Sequence, residues 1–189
     1  MSALNFLNQR LSVPSRQLGE PAPSAAQLEA LLAAAIRVPD HGKLEPFRLI
    51  TIRGEARAAL GQKCAEIHTL KEPHAPPSAL DKDRERFNFA PLIVVVIARV
   101  DAGHAKVPVQ EQILSAGCVA YNLLLGAQAL GFGAQWLTGW SAYDRDVADV
   151  LGLSSNESVV GFVHIGTALK PAIDGPRPAL SDHLSEWRA

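Results

Sequence analysis

Residues 37–52 read RVPDHGKLEPFRLITI, a stretch that begins as the end of a helix and finishes as a strand. Upstream, Ser24 followed three residues later by Gln27 has capping-box spacing, and Leu28, Leu31, Leu32 and Ala35 then recur at helical intervals. Pro39 is expected to end that helix, because a proline disfavours helical geometry in the residue before it. After Pro46, FRLITI alternates and is rich in branched residues, as a strand is. The turn between them carries Asp40, His41, Gly42 and Lys43 between two prolines, and a turn so charged needs a reason.

The same reading extends in both directions. Residues 2–9 form a short helix expected to bury Leu4, Phe6 and Leu7. Gly54 breaks the strand, and EARAALGQKCAEIH follows as a helix with Leu60, Cys64 and Ile67 on one face. Residues 72–89 are polar and hold Pro73, Pro76 and Pro77, which marks a mobile excursion or lid. PLIVVVIARV is apolar on both alternating sets, as expected of a strand covered on both faces. SAGCVAYNLLLGAQALG reads as a buried helix with Cys118, Tyr121, Leu125 and Ala129 among its facing positions, and its many small residues would admit another backbone. GFGAQWLTGW supplies a short strand and a turn, AYDRDVADVLGL a helix, and ESVVGFVHIGT a last strand. Strands and helices alternate without internal repeat, so residues 1–189 are read as a single α+β domain.

Composition narrows the function classes. A formal charge of −1, from 18 basic and 19 acidic residues, provides no field to gather nucleic acid or an acidic membrane, so any anion site must be local. Cys64 and Cys118 show neither C-x-x-C spacing nor a nearby histidine cluster, and are read as two buried free thiols in a reducing cytosol rather than zinc ligands or a disulfide. The amino end lacks a basic leader, and the longest apolar run is too short to span a bilayer. A cytoplasmic protein is expected.

Three basic clusters stand out: Arg10 with Arg16, Arg37 with His41 and Lys43, and Lys170 with Arg177. Separated arginines that converge can hold a phosphate through guanidinium forks, whereas singly they are ordinary solvated surface. His41 has two candidate roles, donating to a ligand or satisfying carbonyls left free by the preceding helix. The remaining histidines show no metal-ligand spacing, and His164, inside an apolar strand, reads as a satisfied core residue. GFGAQWLTG lacks the G-x-G-x-x-G fingerprint, and neither a P-loop nor a nucleophile elbow is present.

Taken together, QRLS after an amino-terminal helix, EPAPSAAQLEALLAAAIRVPDHGKLEPFRL, KVPVQEQILSAGC, GFGAQWLTG and VGFVHIGT resemble, in order and spacing, the nitroreductase family of FMN-dependent oxidoreductases, in its short YdjA-type branch. The resemblance covers nearly the whole chain. It implies a nitroreductase-like α+β fold, a central mainly antiparallel sheet flanked by helices, and a homodimer with FMN at the subunit interface. It further implies that Arg10, Leu11 and Ser12 of one subunit meet a flavin also contacted by Arg37, His41, Trp136, Leu137 and Thr138 of the other, with Arg177 as a carboxyl-terminal phosphate contact. On that footing His41 is read as a ligand contact. The implied activity is reduction of a nitroaromatic, quinone or similar electron-poor acceptor by NAD(P)H through FMN. No protein acid or nucleophile is nominated.

Two departures from the family pattern bear on the site. Many relatives carry two adjacent arginines where this chain has Arg10 and Leu11, so Leu11 offers only backbone or packing contacts and Arg16 is the candidate replacement. An Asn-x-Gln-Pro-Trp element of larger members is here KLEPF: Lys43 would favour an anionic reduced flavin, and Glu45 would oppose it. Two other readings stay open: a flavin-storing protein with little turnover, and an enzyme that uses reduced FMN as a substrate.

Overall fold

The computed structural model describes residues 2–189. In chain order the elements are α1 (Ala3–Asn8), β1 (Leu18–Gly19), α2 (Ala25–Ala35), β2 (Phe47–Arg53), α3 (Glu55–Lys71), α4 (Pro77–Glu85), β3 (Leu92–Arg99), α5 (Val109–Ala129), β4 (Gly133–Leu137), α6 (Trp140–Tyr143), α7 (Arg145–Val150) and β5 (Glu157–Ala168). Every strand pairing is antiparallel. β5 carries two ladders: one edge pairs with β3, and the other pairs first with β4 and then with β1, while β2 closes the far side of β3.

The two alternating faces of β3 build two cores. Leu92, Val94 and Val96 pack with α2 and α5, while Ile93, Val95 and Ile97 pack with α3, α7 and Phe87. That is the two-faced burial its unbroken apolar run calls for. The α2 capping box forms in full, with Ser24 Oγ accepting from the Gln27 amide and the Gln27 side chain accepting from the Ser24 amide. Leu28, Leu31 and Ala35 are buried along its inner face, with Leu32 half-buried. Leu60, Cys64 and Ile67 of α3 are also buried, and burial pushes the Cys64 thiol up to about 12.

Four expectations are corrected. Pro39 does not end α2, which stops at Ala35; the Ile36 and Arg37 amides take the Leu32 and Ala34 carbonyls, and Asn122 Nδ2 of α5 donates to Ala35 O at 3.2 Å and to Arg37 O in the turn beyond at 3.3 Å. α1 has no buried residue: Leu4 is 72% exposed, Leu7 is exposed and Phe6 is half-buried. In α5 the facing set is rotated. Cys118, Tyr121 and Ala129 are exposed, so only one thiol is buried, and the sheet instead receives Ala116, Val119, Ala120, Leu123 and Ala127. A helix apolar nearly all round does not choose its inner face by periodicity; fit to α2 chooses it, since a Cβ on Gly126 would stand 2.4 Å from Leu31 Cδ1.

The fourth correction concerns residues 72–89, which hold an ordered helix packed on α3. Asp83 of α4 is buried, accepting from Trp140 Nε1 at 2.8 Å and lying 2.5 Å from His68 Nδ1, and Phe87 is enclosed beneath. The helices cross so closely that a Cβ on Gly61 would meet Arg84 O at 2.3 Å. Gly61→Ala should therefore cost about 1–3 kcal/mol, read from the urea midpoint.

Arg48 of β2 reaches across β3 to Glu157 at the start of β5, Nε at 2.6 Å and Nη2 at 2.9 Å. The guanidinium, together with the Ser154 amide and hydroxyl, holds the Glu157 carboxyl down at about 2. A carboxylate depressed on folding stabilises the fold above its unfolded pKa and loses that contribution as pH falls through 4.5 toward 2. Urea unfolding at pH 6 and pH 3 should thus differ less in Glu157→Gln than in the parent.

Candidate functional site

The opening turn is organised by Asp40. Its carboxylate accepts the amides of Leu44 at 3.1 Å and Glu45 at 2.8 Å, and so holds a tight reversal in which Gly42, Lys43 and Glu45 all have positive φ. Pro46 is buried and its carbonyl accepts from Arg99, which starts the β2–β3 ladder. Lys43 and Glu45, of opposite charge, both stand exposed at the rim of a cavity of about 660 Å³ between the end of α2 and β2.

His41 does not satisfy helix carbonyls, a task Asn122 already performs. Its Nδ1 lies 2.7 Å from Glu111 Oε2 in the first turn of α5, and more than half of its side chain is exposed. Arg37, in the turn after α2, is exposed with its carbonyl held by Asn122.

A second group gathers at the other end of α5. The Leu11 amide donates to Gln128 Oε1 at 3.4 Å, Arg10 Nη1 donates to Ser12 Oγ at 3.2 Å, and Arg177 Nη2 donates to Arg10 O at 3.3 Å. The exposed carboxyl-terminal segment thus brings Arg177 back beside Arg10, although Asp174 also claims its guanidinium at 2.7 Å. Arg16, the candidate replacement for a second arginine, is exposed with its guanidinium 4.5 Å over the ring of Phe89. Lys170 is exposed on the same carboxyl-terminal segment as Arg177.

The two groups are far apart within one chain. From Glu111 to Gln128, at 1.5 Å per residue, α5 separates His41 from Leu11 by about 25 Å. Arg10, Leu11, Ser12 and Arg177 are brought together; His41 is not brought to them.

Trp136, Leu137 and Thr138 sit at the end of β4, where the ladder to β5 stops after Leu137 opposite Phe162. Trp136 Nε1 donates to Val160 O at 3.2 Å, and the ring crosses Gly161 so closely that a Cβ there would be 2.0 Å from Nε1. Leu137 and Thr138 face a cavity of about 290 Å³.

The sequence reading overlooked several residues that hold these groups. Asn122, Gln128 and Glu111 are spaced along α5 and bind Arg37, Leu11 and His41 respectively; nothing local marks them, since each acts on a partner about 70 or more positions away. His164 is buried as expected but is not satisfied, because its Nδ1 has no hydrogen-bond partner.

Comparison with known proteins gives a consistent outcome. The Nitroreductase family profile matches residues 7–167. A Haemophilus influenzae protein provisionally named an NAD(P)H nitroreductase is 37% identical over 174 residues, 91% of each chain. Escherichia coli YdjA, under the same provisional name, is 36% identical over 171 residues, 88% of each chain. Among solved structures, one from Desulfovibrio desulfuricans, described as a nitroreductase in complex with FMN, superposes with a TM-score of 0.74 at 23% identity, covering 98% of this chain and 96% of that one. That likeness bears on the fold.

Proposed function

The chain belongs to the nitroreductase family, and from that premise we propose that it is an oxidoreductase which uses FMN to pass electrons from NAD(P)H to a flat, electron-poor acceptor such as a nitroaromatic or quinone. The observation that carries the arrangement is the separation of about 25 Å between the Arg10 group and His41. Two copies with their α5 helices crossed antiparallel would set the Arg10 end of one against the His41 end of the other. A homodimer with two shared sites follows. The exposed apolar face of α5 (Ile113, Leu114, Tyr121) with Leu4 and Leu7 of α1 supports that pairing.

The residues present fit FMN. Arg10, Ser12 and Arg177 form a cationic and hydroxyl donor set suited to its phosphate, and Leu11 contributes backbone to the segment. His41, with Nδ1 engaged by Glu111, keeps Nε2 for the ligand, and Arg37 brings a guanidinium to the same end of the site. Trp136 is fixed by Val160 and lets Leu137 and Thr138 present the open end of β4. When bound, FMN supplies hydride acceptance and electron delivery; the protein supplies orientation and charge. The same reading places the protein in the cytoplasm, supported by its two unpaired cysteines, and among the described residues no helix is long and apolar enough to cross a membrane.

Flavin storage is the second reading, favoured by the packing of α4 on α3, which fits the ordered cover that reading expects of residues 72–89. An anaerobic absorbance titration of FMN-loaded protein with NADH and then NADPH separates the two. Rapid bleaching of the flavin band is expected, and a band that stays oxidised with both donors would leave storage.

Arg10→Ala should weaken FMN retention by about 1.5–3 kcal/mol, the worth of charge-assisted contacts. Mixing Arg10→Ala with His41→Ala subunits should restore one intact site per heterodimer. Equilibrium dialysis that finds no recovery of tight binding would place both residues in one protomer's site.

A further inference from the structure

Residues 100–108, between β3 and α5, turn on one histidine. The amides of Lys106 and Val107 both donate to His104 Nδ1, at 3.3 Å and 2.9 Å. A backbone N–H only donates, so Nδ1 is the bare, accepting nitrogen and the imidazole is neutral with its proton on Nε2. A proton placed on Nδ1 would set a third N–H against the two amides, and both hydrogen bonds would be lost.

That turn seats Val107, which is 4% exposed, and its Cγ2 lies 3.6 Å from the point where a Cβ on Gly42 would stand. Gly42 follows His41 in the reversal of positive-φ residues, so Val107 packs directly against the His41 turn. Gln112 of α5, wholly buried, closes the rest of the loop: its Oε1 accepts the Asp101 amide at 2.8 Å, and its Nε2 donates to Asp101 O at 2.9 Å and Val107 O at 3.0 Å. The Val107 carbonyl is thus held by an amide side chain of fixed charge. Its own amide is held by an imidazole, the side chain that changes charge between about pH 5 and 8.

The charged groups around the loop do not offset a proton on His104. On the loop itself, Asp101 Oδ1 accepts the Gly103 amide at 2.9 Å, and Lys106 is a like charge. On α5, Glu111 is paired with His41. In the His41 turn, Asp40 is taken by the Leu44 and Glu45 amides, Lys43 is a further cation, and the Glu45 carbonyl accepts from Arg99 at the end of β3. Among the described residues no carboxylate lies within ion-pair distance of His104. His41 is the opposite case, because its Nδ1 faces a carboxylate and keeps that partner when the ring is charged.

We propose that His104 is a positioning residue for the His41 turn, a latch that seats Val107 against Gly42 while its imidazole is neutral and releases it when the ring is charged. The consequence for the ligand rests on the flavin reading of His41. A form that binds FMN with the latch closed carries one proton fewer on His104, so by linkage its affinity for FMN falls as the pH falls.

The test is equilibrium dialysis of the parent, His104→Asn and His104→Ala against FMN at about pH 7.5 and about pH 5.5, either side of imidazole titration. Asparagine offers a side-chain oxygen that accepts nearby amides and does not titrate, whereas alanine offers neither. At the higher pH the Asn variant should bind FMN as the parent does, and the Ala variant about tenfold more weakly, the worth of two amide hydrogen bonds. At the lower pH the parent should lose about fivefold more affinity than the Asn variant, as those two bonds go. Protons taken up by the FMN phosphate and by His41 are common to both proteins, so the difference isolates His104. An equal pH dependence in the parent and the Asn variant would overturn the latch, as would an Ala variant that binds like the parent at both pH values. Should the Ala variant fail to fold, the Asn comparison decides alone. The Val107 amide resonance, recorded without added FMN, keeps this inference apart from the flavin reading: it should move between the two pH values in the parent and hold still in the Asn variant. That movement with no FMN bound by either protein upholds the latch and removes the flavin reading. Tight FMN binding with a Val107 resonance indifferent to pH in the parent does the reverse.

Discussion

The structure depends on β5 pairing along both edges. Its residues 157–165 follow β3, while 162–166 follow β4 and 167–168 follow β1, so a twelve-residue strand sets the register of three neighbours at once. Two glycines make this possible. At Gly161 the Trp136 ring crosses the strand, and at Gly166 Pro91 and the Gly19 carbonyl approach within the space a side chain would fill. The β4 ladder then decides where Trp136, Leu137 and Thr138 stand, and β1 anchors the segment that follows the Arg10 arm.

α5 is the second organiser, working through side chains on one long rod. Glu111, Ser115, Asn122 and Gln128 take hold in turn of His41, the Pro39 carbonyl, the end of α2 and Leu11. The helix acts as a ruler. It holds the amino-terminal arm and the His41 turn about 25 Å apart, a distance that no side-chain motion closes. Its outward face exposes Ile113, Leu114 and Tyr121, and the carboxyl-terminal segment exposes Ile173, Leu180 and Trp187.

Charge is distributed unevenly on α4 and the residue that caps it. Asp83 is enclosed and given two donors, a satisfied buried acid that ties α4 to α3 and α6. Arg86, one turn on, receives only a serine hydroxyl. The same short element therefore contributes a structural carboxylate and a cation that pairs with no carboxylate among the described residues.

Local chemistry alone was enough for much of the fold. The Ser24–Gln27 capping box, the FRLITI alternation, the doubly buried PLIVVVIARV strand and the α3 stripe of Leu60, Cys64 and Ile67 are all written in nearest-neighbour spacing, and the residues that resemble a flavin site were legible in order along the chain. Tertiary structure decided the rest. It chose which face of α5 turns inward, turned the proline-rich 72–89 stretch into a packed helix, and set Arg16 over the Phe89 ring. It also left His164 enclosed without a partner. The physical reason is range: caps and periodicity act over three or four residues, whereas the partners of Arg37, Leu11 and His41 are brought in from elements about 70 to 120 positions away, by packing that spacing does not encode.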